Sequence, residues 1–199
     1  MANKLKSLNI SIFSPREFQD VFTVSKNTAS VFLSNNINSN LFIKLRNGFY
    51  ILKDVRPSLY MIANRLYRPS YISLESALSF YGVIPETVYG ITSVSTKATR
   101  EFESEIGVFS YQKIKRGAFT GYELKDIHGE KVFIADVEKA LADYLYFVDL
   151  KKNVLNDRLR LNGINKKKLM NYLLDFKRKS LIKLIDQIYA EYKKTRKVY

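Results

Sequence analysis

The chain of 199 residues has no cysteine, which removes disulfide frameworks, thiol nucleophiles and cysteine-based zinc sites together and suits a reducing cytosol. Histidine is almost as scarce. The single one, His128, stands between Ile127 and Gly129 and reads as a loop residue rather than a ligand or base, because the chain has no second His and no Cys to ligate a metal with it. No run of about 18 apolar residues occurs, and the opening M-A-N-K-L-K-S-L-N-I lacks the apolar core of a signal peptide. A P-loop, a Gly-rich dinucleotide loop and a G-x-S-x-G elbow are also missing. These absences describe a cytoplasmic protein with no membrane span, no metal, no cofactor and no catalytic residues.

What the chain does have is positive charge, +14 in total, and it is unevenly spread. Residues 1–56 carry 8 Lys or Arg against 3 Asp or Glu, residues 57–148 carry 10 against 11, and residues 149–199 carry 15 against 5. The segment balances are thus +5, −1 and +10, so the two ends are basic around a neutral middle. A polyanion such as nucleic acid is the usual partner of such a field, with an acidic protein or a merely soluble surface as the other readings.

The first basic segment contains the most specific local pattern. Ser14, Pro15 and Glu17 form a capping box with proline at the first helical position, followed by the apolar stripe Phe18, Val21 and Phe22. Only Thr23 and Val24 separate this helix from Ser25, which suits the N-cap of a second helix over 25–35 with Ala29, Phe32 and Leu33 turned inward. Asn27, Ser30, Val31 and Ser34 then fall on the opposite face. Two short helices joined by a tight turn describe a helix-turn-helix, and the Asn47-Gly48 pair between L-F-I-K-L-R and F-Y-I-L marks a hairpin, because both turn residues need positive φ. That order is the plan of a winged helix-turn-helix. In that plan Lys26, Asn27, Thr28, Ser30 and Ser34 face the major groove, while Lys44, Arg46 and Asn47 near the hairpin tip meet phosphate or the minor groove. Some winged domains contact proteins instead; the basic balance favours DNA.

Pro57 coincides with the change in charge and marks a boundary between a domain over 1–56 and a second over 57–199. Helices are expected over 58–66 and from the Ser73 cap to Gly82. Strands are expected at I-T-S-V-S-T, G-V-F-S-Y-Q-K-I, T-G-Y-E-L-K-D-I and K-V-F-I-A, which makes the class α+β over 57–148. A further helix begins at an Asp136 cap with Val137, Leu141, Tyr144 and Leu145 buried and Glu138 and Asp143 solvated. Glu123 and Lys125 on a strand resemble half of a nuclease metal site; alternating charge on an exposed strand face explains the same residues, and is favoured because the partner carboxylate is missing.

The last segment, 149–199, reads as three amphipathic helices, 154–161, 166–176 and 180–192. Lys166, Lys167, Lys168, Lys177, Arg178 and Lys179 lie at the joints between them. Three readings fit these cations: a second DNA-phosphate surface, a surface for a negatively charged toxin or RNA, or a solvated face.

From about Ser14 to Phe147 the sequence resembles the AbiEi antitoxins of bacterial abortive-infection toxin–antitoxin loci. The resemblance rests on the N-terminal pattern, Y-I-S-L-E-S-A-L-S-F-Y-G-V-I-P-E, I-T-S-V-S-T with Arg100 and Phe102, G-V-F-S-Y-Q-K-I, F-T-G-Y, and I-A-D-V-E-K-A-L-A-D-Y-L-Y. Asp136-Val137 departs from the family's usual Ser or Thr followed by Pro, and the last fifty residues fall outside the resemblance. The resemblance implies a bacterial phage-defence protein with two roles. Its winged domain binds inverted repeats in double-stranded operator DNA and represses its own operon, and its C-terminal part counters a nucleotidyltransferase toxin without requiring a stable complex. The expected state is a monomer in solution that loads onto DNA in several copies.

Overall fold

In the computed structural model, which describes residues 2–8, 10–38 and 41–195, the chain begins with α1 (Ala2–Ser7) and the two-residue strand β1 (Ile12–Phe13). Neither carries enough residues for a periodic pattern, so neither was legible in the sequence. Helix α2 (Pro15–Phe22) starts as its capping box dictates: Glu17 N donates to Ser14 Oγ at 3.3 Å and Ser14 N donates back to Glu17 Oε2 at 2.8 Å. It stops at Thr23, whose φ of 54° lies in the left-handed region. Helix α3 (Lys26–Asn38) opens with Ser25 Oγ accepting from Thr28 N at 3.2 Å and extends three residues beyond the expected Asn35. Strands β2 (Phe42–Arg46) and β3 (Phe49–Leu52) pair antiparallel around Asn47-Gly48, with Gly48 at φ 81°. β1 adds to β3, giving the order β1-β3-β2.

This small sheet is apolar on both faces. Phe13, Phe42 and Leu52 point to one core with Leu5, Phe18, Ala29 and Leu33 from the three helices. Ile12, Ile43, Leu45 and Ile51 alternate to the other side and join the larger core formed by the rest of the chain. The hairpin is therefore packed between the helices and the body rather than standing free.

The body is a six-stranded mixed sheet flanked by helices, an α+β architecture. Its elements in chain order are α4 (Leu59–Leu66), β4 (Ser70–Ile72), α5 (Leu74–Phe80), β5 (Ile91–Ser95), β6 (Arg100–Ser104), β7 (Gly107–Lys113), β8 (Tyr122–Ile127), β9 (Glu130–Ala135), α6 (Val137–Asp149), α7 (Lys166–Asp175) and α8 (Lys179–Thr195). The strand order is β6-β7-β5-β4-β9-β8, with β5–β7 and β4–β9 parallel. All four expected strands are present. The two unexpected ones hide for different reasons: β4 is three residues long, and β6, with the sequence R-E-F-E-S, is a polar edge strand. Asn64 of α4 extends the sheet where β4 stops. Its Oδ1 accepts from Phe133 N, and its Nδ2 donates to Phe133 O at 3.1 Å.

Helix α6 runs through the middle of this arrangement, packed against α5, α7 and α8. The expectation that Glu138 and Asp143 are solvated is wrong: they are 5% and 0% exposed. A one-stripe reading assumes a helix with one covered face, whereas every residue from Glu138 to Phe147 is buried. Each charge has a partner. Lys139 Nζ donates to Asp143 Oδ1 at 2.6 Å, while Tyr71 OH and Ser73 Oγ donate to Oδ2 at 3.0 and 2.8 Å. Burial raises the Asp143 carboxyl above its ordinary value, against the pull of Lys139, Ser73 and Tyr71. Ser73 is consequently not a side-chain cap of α5, as the sequence suggested; its hydroxyl is used by Asp143. Glu138 accepts from Asn165 N at 3.0 Å, and Asp136 caps α6 through Lys139 N at 2.8 Å. Asp136 also accepts from Tyr172 OH at 2.7 Å; burial and this bond push the Tyr172 phenol up to about 12.

In the tail, α7 and α8 match two of the three expected helices, and Leu181, Ile185 and Ile188 are buried as their spacing requires. No helix forms over 154–161. Its polar groups are bound instead by distant elements: Tyr144 OH donates to Val154 O at 2.6 Å and accepts from Asn156 N at 2.8 Å, and Arg160 N donates to Val83 O at 2.8 Å. Leu159 and Leu161 are buried without helical geometry, so apolar spacing alone misread this stretch.

Replacing Asp143 by Ala leaves the Lys139 ammonium buried and unpaired and is expected to cost about 3–5 kcal/mol in urea unfolding. The double replacement Lys139→Met with Asp143→Leu should recover much of that loss, because no lone charge then remains inside.

Candidate nucleic-acid interface

Helix α3 presents the most uniform polar surface. Ala29 and Leu33 are buried and Phe32 is half-buried, stacked 5.5 Å from Phe18, so the packing fixes which side faces out. Lys26, Asn27, Thr28, Ser30 and Ser34 are all exposed on the other side, as their spacing requires. Thr28 Oγ1 lies 2.9 Å from Ser25 Oγ and is thereby tied to the start of the helix, whereas the Asn27 amide and the Ser30 and Ser34 hydroxyls project outward. Val31, on the same face, is 60% exposed. It was not among the candidate contact residues, yet an exposed β-branched side chain gains nothing for the helix, and an aliphatic group on such a face suits a thymine methyl. Lys44 shares the face of Phe42 on β2, which packs against α3, and is exposed on the helix-bearing side of the small sheet.

The hairpin tip behaves differently from expectation. Arg46 does not reach outward: Nε and Nη2 donate to Leu66 O at 2.9 and 2.7 Å and Nη1 donates to Asn47 O at 2.8 Å. Its guanidinium also lies over the rings of Phe49 (4.4 Å) and Phe102 (5.0 Å). The orphan carbonyl at the end of α4 and two aromatic faces outcompete solvent for this cation. Asn47 remains exposed at the tip. A second clamp joins Arg65 of α4 to Glu17 of α2. Burial raises the Glu17 carboxyl, but the Ser14 hydrogen bonds and Arg65 outweigh it, and the net direction is downward.

The six tail cations divide into two groups. Lys168 Nζ sits between Asp136 Oδ2 (3.2 Å) and Glu138 Oε2 (3.1 Å), Arg178 pairs with Asp149, and Lys166 lies 3.6 Å from Asp186 and over the Tyr189 ring at 4.9 Å. These three hold α7 and α8 to their neighbours. Lys167, Lys177 and Lys179 are exposed and lack an acidic partner among the described residues. The tail therefore offers less free charge than its sequence suggests.

Glu123 and Lys125 on edge strand β8 are 3.5 Å apart, and Lys125 Nζ is equally 3.5 Å from Tyr81 OH and packed over the Phe80 and Tyr81 rings. Among the described residues no group of three or more His, Asp or Glu is placed to hold a metal ion. His128 occupies the β8–β9 turn with φ 55°. No helix among the described residues is long and apolar enough to cross a membrane. Comparison of the sequence with protein-family models and with curated proteins gives no match.

Two variants separate the roles of neighbouring cations. Arg46→Ala should lower stability in urea by about 1–3 kcal/mol, because its charged hydrogen bonds are internal. Lys44→Ala should leave stability within about 0.5 kcal/mol of the parent. For Glu17, the lowered folded-state pKa means that its stabilisation is complete above its ordinary, unfolded value and disappears as pH falls through the folded value. Acid titration of stability should thus be shallower for Glu17→Gln than for the parent in that window.

Proposed function

We propose that this protein is a sequence-specific DNA-binding repressor whose first 56 residues form a winged helix-turn-helix. The single observation that carries this reading is the exposed polar face of α3, presented by a capped partner helix and followed by a hairpin, in a chain with a net charge of +14. In this reading α3 lies in the major groove. Asn27 is suited to the N6 and N7 edge of an adenine, Val31 to a thymine methyl, Ser30 and Ser34 to whichever acceptors or donors face them, and Lys26 and Lys44 to phosphates. Arg46 takes a different part from the one expected of a wing: it locks the hairpin to the body and so fixes how α3 is presented. Asn47 is the tip residue left for the backbone.

Within that class the particular protein we infer is an antitoxin of the AbiEi kind. The motif blocks between Ser14 and Phe147 support this, and the body and tail from residue 57 onward are then the part that counters a nucleotidyltransferase toxin. Lys167, Lys177 and Lys179 are the cations free to serve a toxin or a second DNA contact. We do not adopt a nuclease reading, because Glu123 is engaged with Lys125, and Lys125 also with Tyr81.

Selection from random duplex DNA with the purified full chain should enrich one motif, and that motif should recur as inverted repeats upstream of the gene. Asn27→Ala should lose about 1–3 kcal/mol of discrimination at one position of the motif, whereas Lys26→Ala or Lys44→Ala should weaken all sequences alike and reduce the salt slope by about one. Enrichment of no motif at moderate salt would overturn the repressor reading. Co-expression with the product of the adjacent gene tests the second role: residues 1–56 alone should not rescue growth, and full rescue by them would exclude an antitoxic body.

A further inference from the structure

The β8–β9 end of the large sheet carries a contiguous apolar surface that none of the described residues covers. Tyr122 and Leu124 on β8 and Phe133 on β9 are 38%, 52% and 39% exposed. The register pairs Leu124 with Phe133 and Tyr122 with Ala135, so the three side chains emerge on one face. Scattered exposed hydrophobics are ordinary; three neighbours on one sheet face are not. The aromatic members are also fixed. Phe133 has its backbone N–H and C=O bound by the Asn64 side chain, Tyr122 stacks at 4.4 Å on Tyr71, and Tyr71 is held by Asp143. Phe133 meets Tyr122 edge to face at 5.9 Å.

Phe133 also lines a cleft of about 260 Å³ between β1, α2, α4 and β9, together with Arg65, Arg68, Lys131 and Glu17. Arg65 is paired with Glu17. Among the described residues Arg68 uses only its Nε, on Asn64 O at 3.2 Å, and Lys131 stands opposite Asp126, whose Oδ1 accepts from Gly129 N. Three cations against one carboxylate in the cleft, with an aromatic ring in its lining, is the chemistry that holds a phosphate beside an unpaired base. Duplex DNA fits this surface poorly, because its bases are already stacked on one another. An apolar protein segment would use Leu124 and Tyr122 but would leave the cations of the cleft unexplained.

We propose that this face binds single-stranded nucleic acid, with an unpaired base against Phe133 and the adjoining phosphate in the cleft between Arg68 and Lys131. The surface is separate from the outer face of α3 and does not depend on how that helix is read. The chain contains no tryptophan, so Phe133→Trp in the full-length protein provides a unique reporter. Its emission should be quenched by short oligo(dT) and oligo(rU) and left unchanged by inorganic polyphosphate, which offers charge without bases. In anisotropy measurements with labelled oligonucleotides, Phe133→Leu, which keeps apolar bulk without a ring, should bind roughly tenfold more weakly, and Phe133→Tyr should bind like the parent. Arg68→Gln and Lys131→Gln should each reduce the salt slope by about 0.7. Equal quenching by polyphosphate, or oligonucleotide affinity unchanged in Phe133→Leu, would mean that charge elsewhere does the binding and would overturn the proposal. Absence of any oligonucleotide binding by the parent would also overturn it and would leave the apolar face to a protein partner.

Discussion

The buried carboxylate of Asp143 ties β4, α5 and α6 together. It accepts from Lys139 one helical turn earlier, from Tyr71 on β4 and from Ser73 at the start of α5, and Lys139 in turn lies 4.7 Å from the Phe176 ring at the end of α7. An ion pair with both side chains at 0% exposure gains little net energy over a well-packed apolar pair. Its effect is on geometry: Asp143 tolerates few arrangements in which all its acceptor sites are filled, so it restricts how the sheet, α5 and α6 meet. The neighbouring charges extend this logic, with Asp136 and Glu138 fixing Tyr172, Lys168 and the backbone at Asn165. The helices of the tail are thereby attached to α6 through polar contacts as well as through Leu169, Leu173 and Leu181.

The joint between the first fifty residues and the body is the second constraint. A hairpin with one apolar face can move as a unit; one with both faces buried cannot. Ile43, Leu45 and Ile51 commit the small sheet to the larger core, and Arg46 and the Arg65–Glu17 pair close the joint from two sides. The polar face of α3 is therefore presented on a rigid support, which suits a surface that must hold its register against a regular partner. The same joint creates the cleft beside Phe133, because β1 and α2 approach α4 and β9 there.

Charge is distributed by role rather than by segment. The net +14 suggests basic ends acting as one field, but Lys168, Arg178, Arg46 and Arg65 are each engaged internally. The cations left outward, among them Lys26, Lys44, Lys167, Lys177 and Lys179, are spread over α3, the hairpin and the tail. The long-range positive field survives this division, since it depends on the total charge, while direct contacts are open only to the groups that point outward.

Local rules wrote much of this structure directly into the sequence. The capping box at Ser14, the Ser25 cap, the Asn47-Gly48 turn and the stripe of Ala29, Phe32 and Leu33 each depend on residues within a few positions of one another, and each has the geometry that its chemistry requires. The outward face of α3 follows from them, because a helix with a fixed inner stripe has a fixed outer one. What neighbours in sequence could not decide were features set by what packs on the second side of an element. Asp143 looks like a solvent-facing charge until β4 and the start of α5 cover it, Glu138 until α7 does, and Arg46 looks like a wing residue until the Leu66 carbonyl and Phe102 arrive. Residues 154–161 have helical spacing but give their backbone to Tyr144 and Val83. The apolar surface of Tyr122, Leu124 and Phe133 exists because β8 and β9 end a sheet that, among the described residues, no helix closes at that corner. Short-range hydrogen bonding and periodicity determined the elements and the face of α3. Tertiary packing alone decided which charges were buried, which cation locked the hairpin and which face of the sheet stayed open.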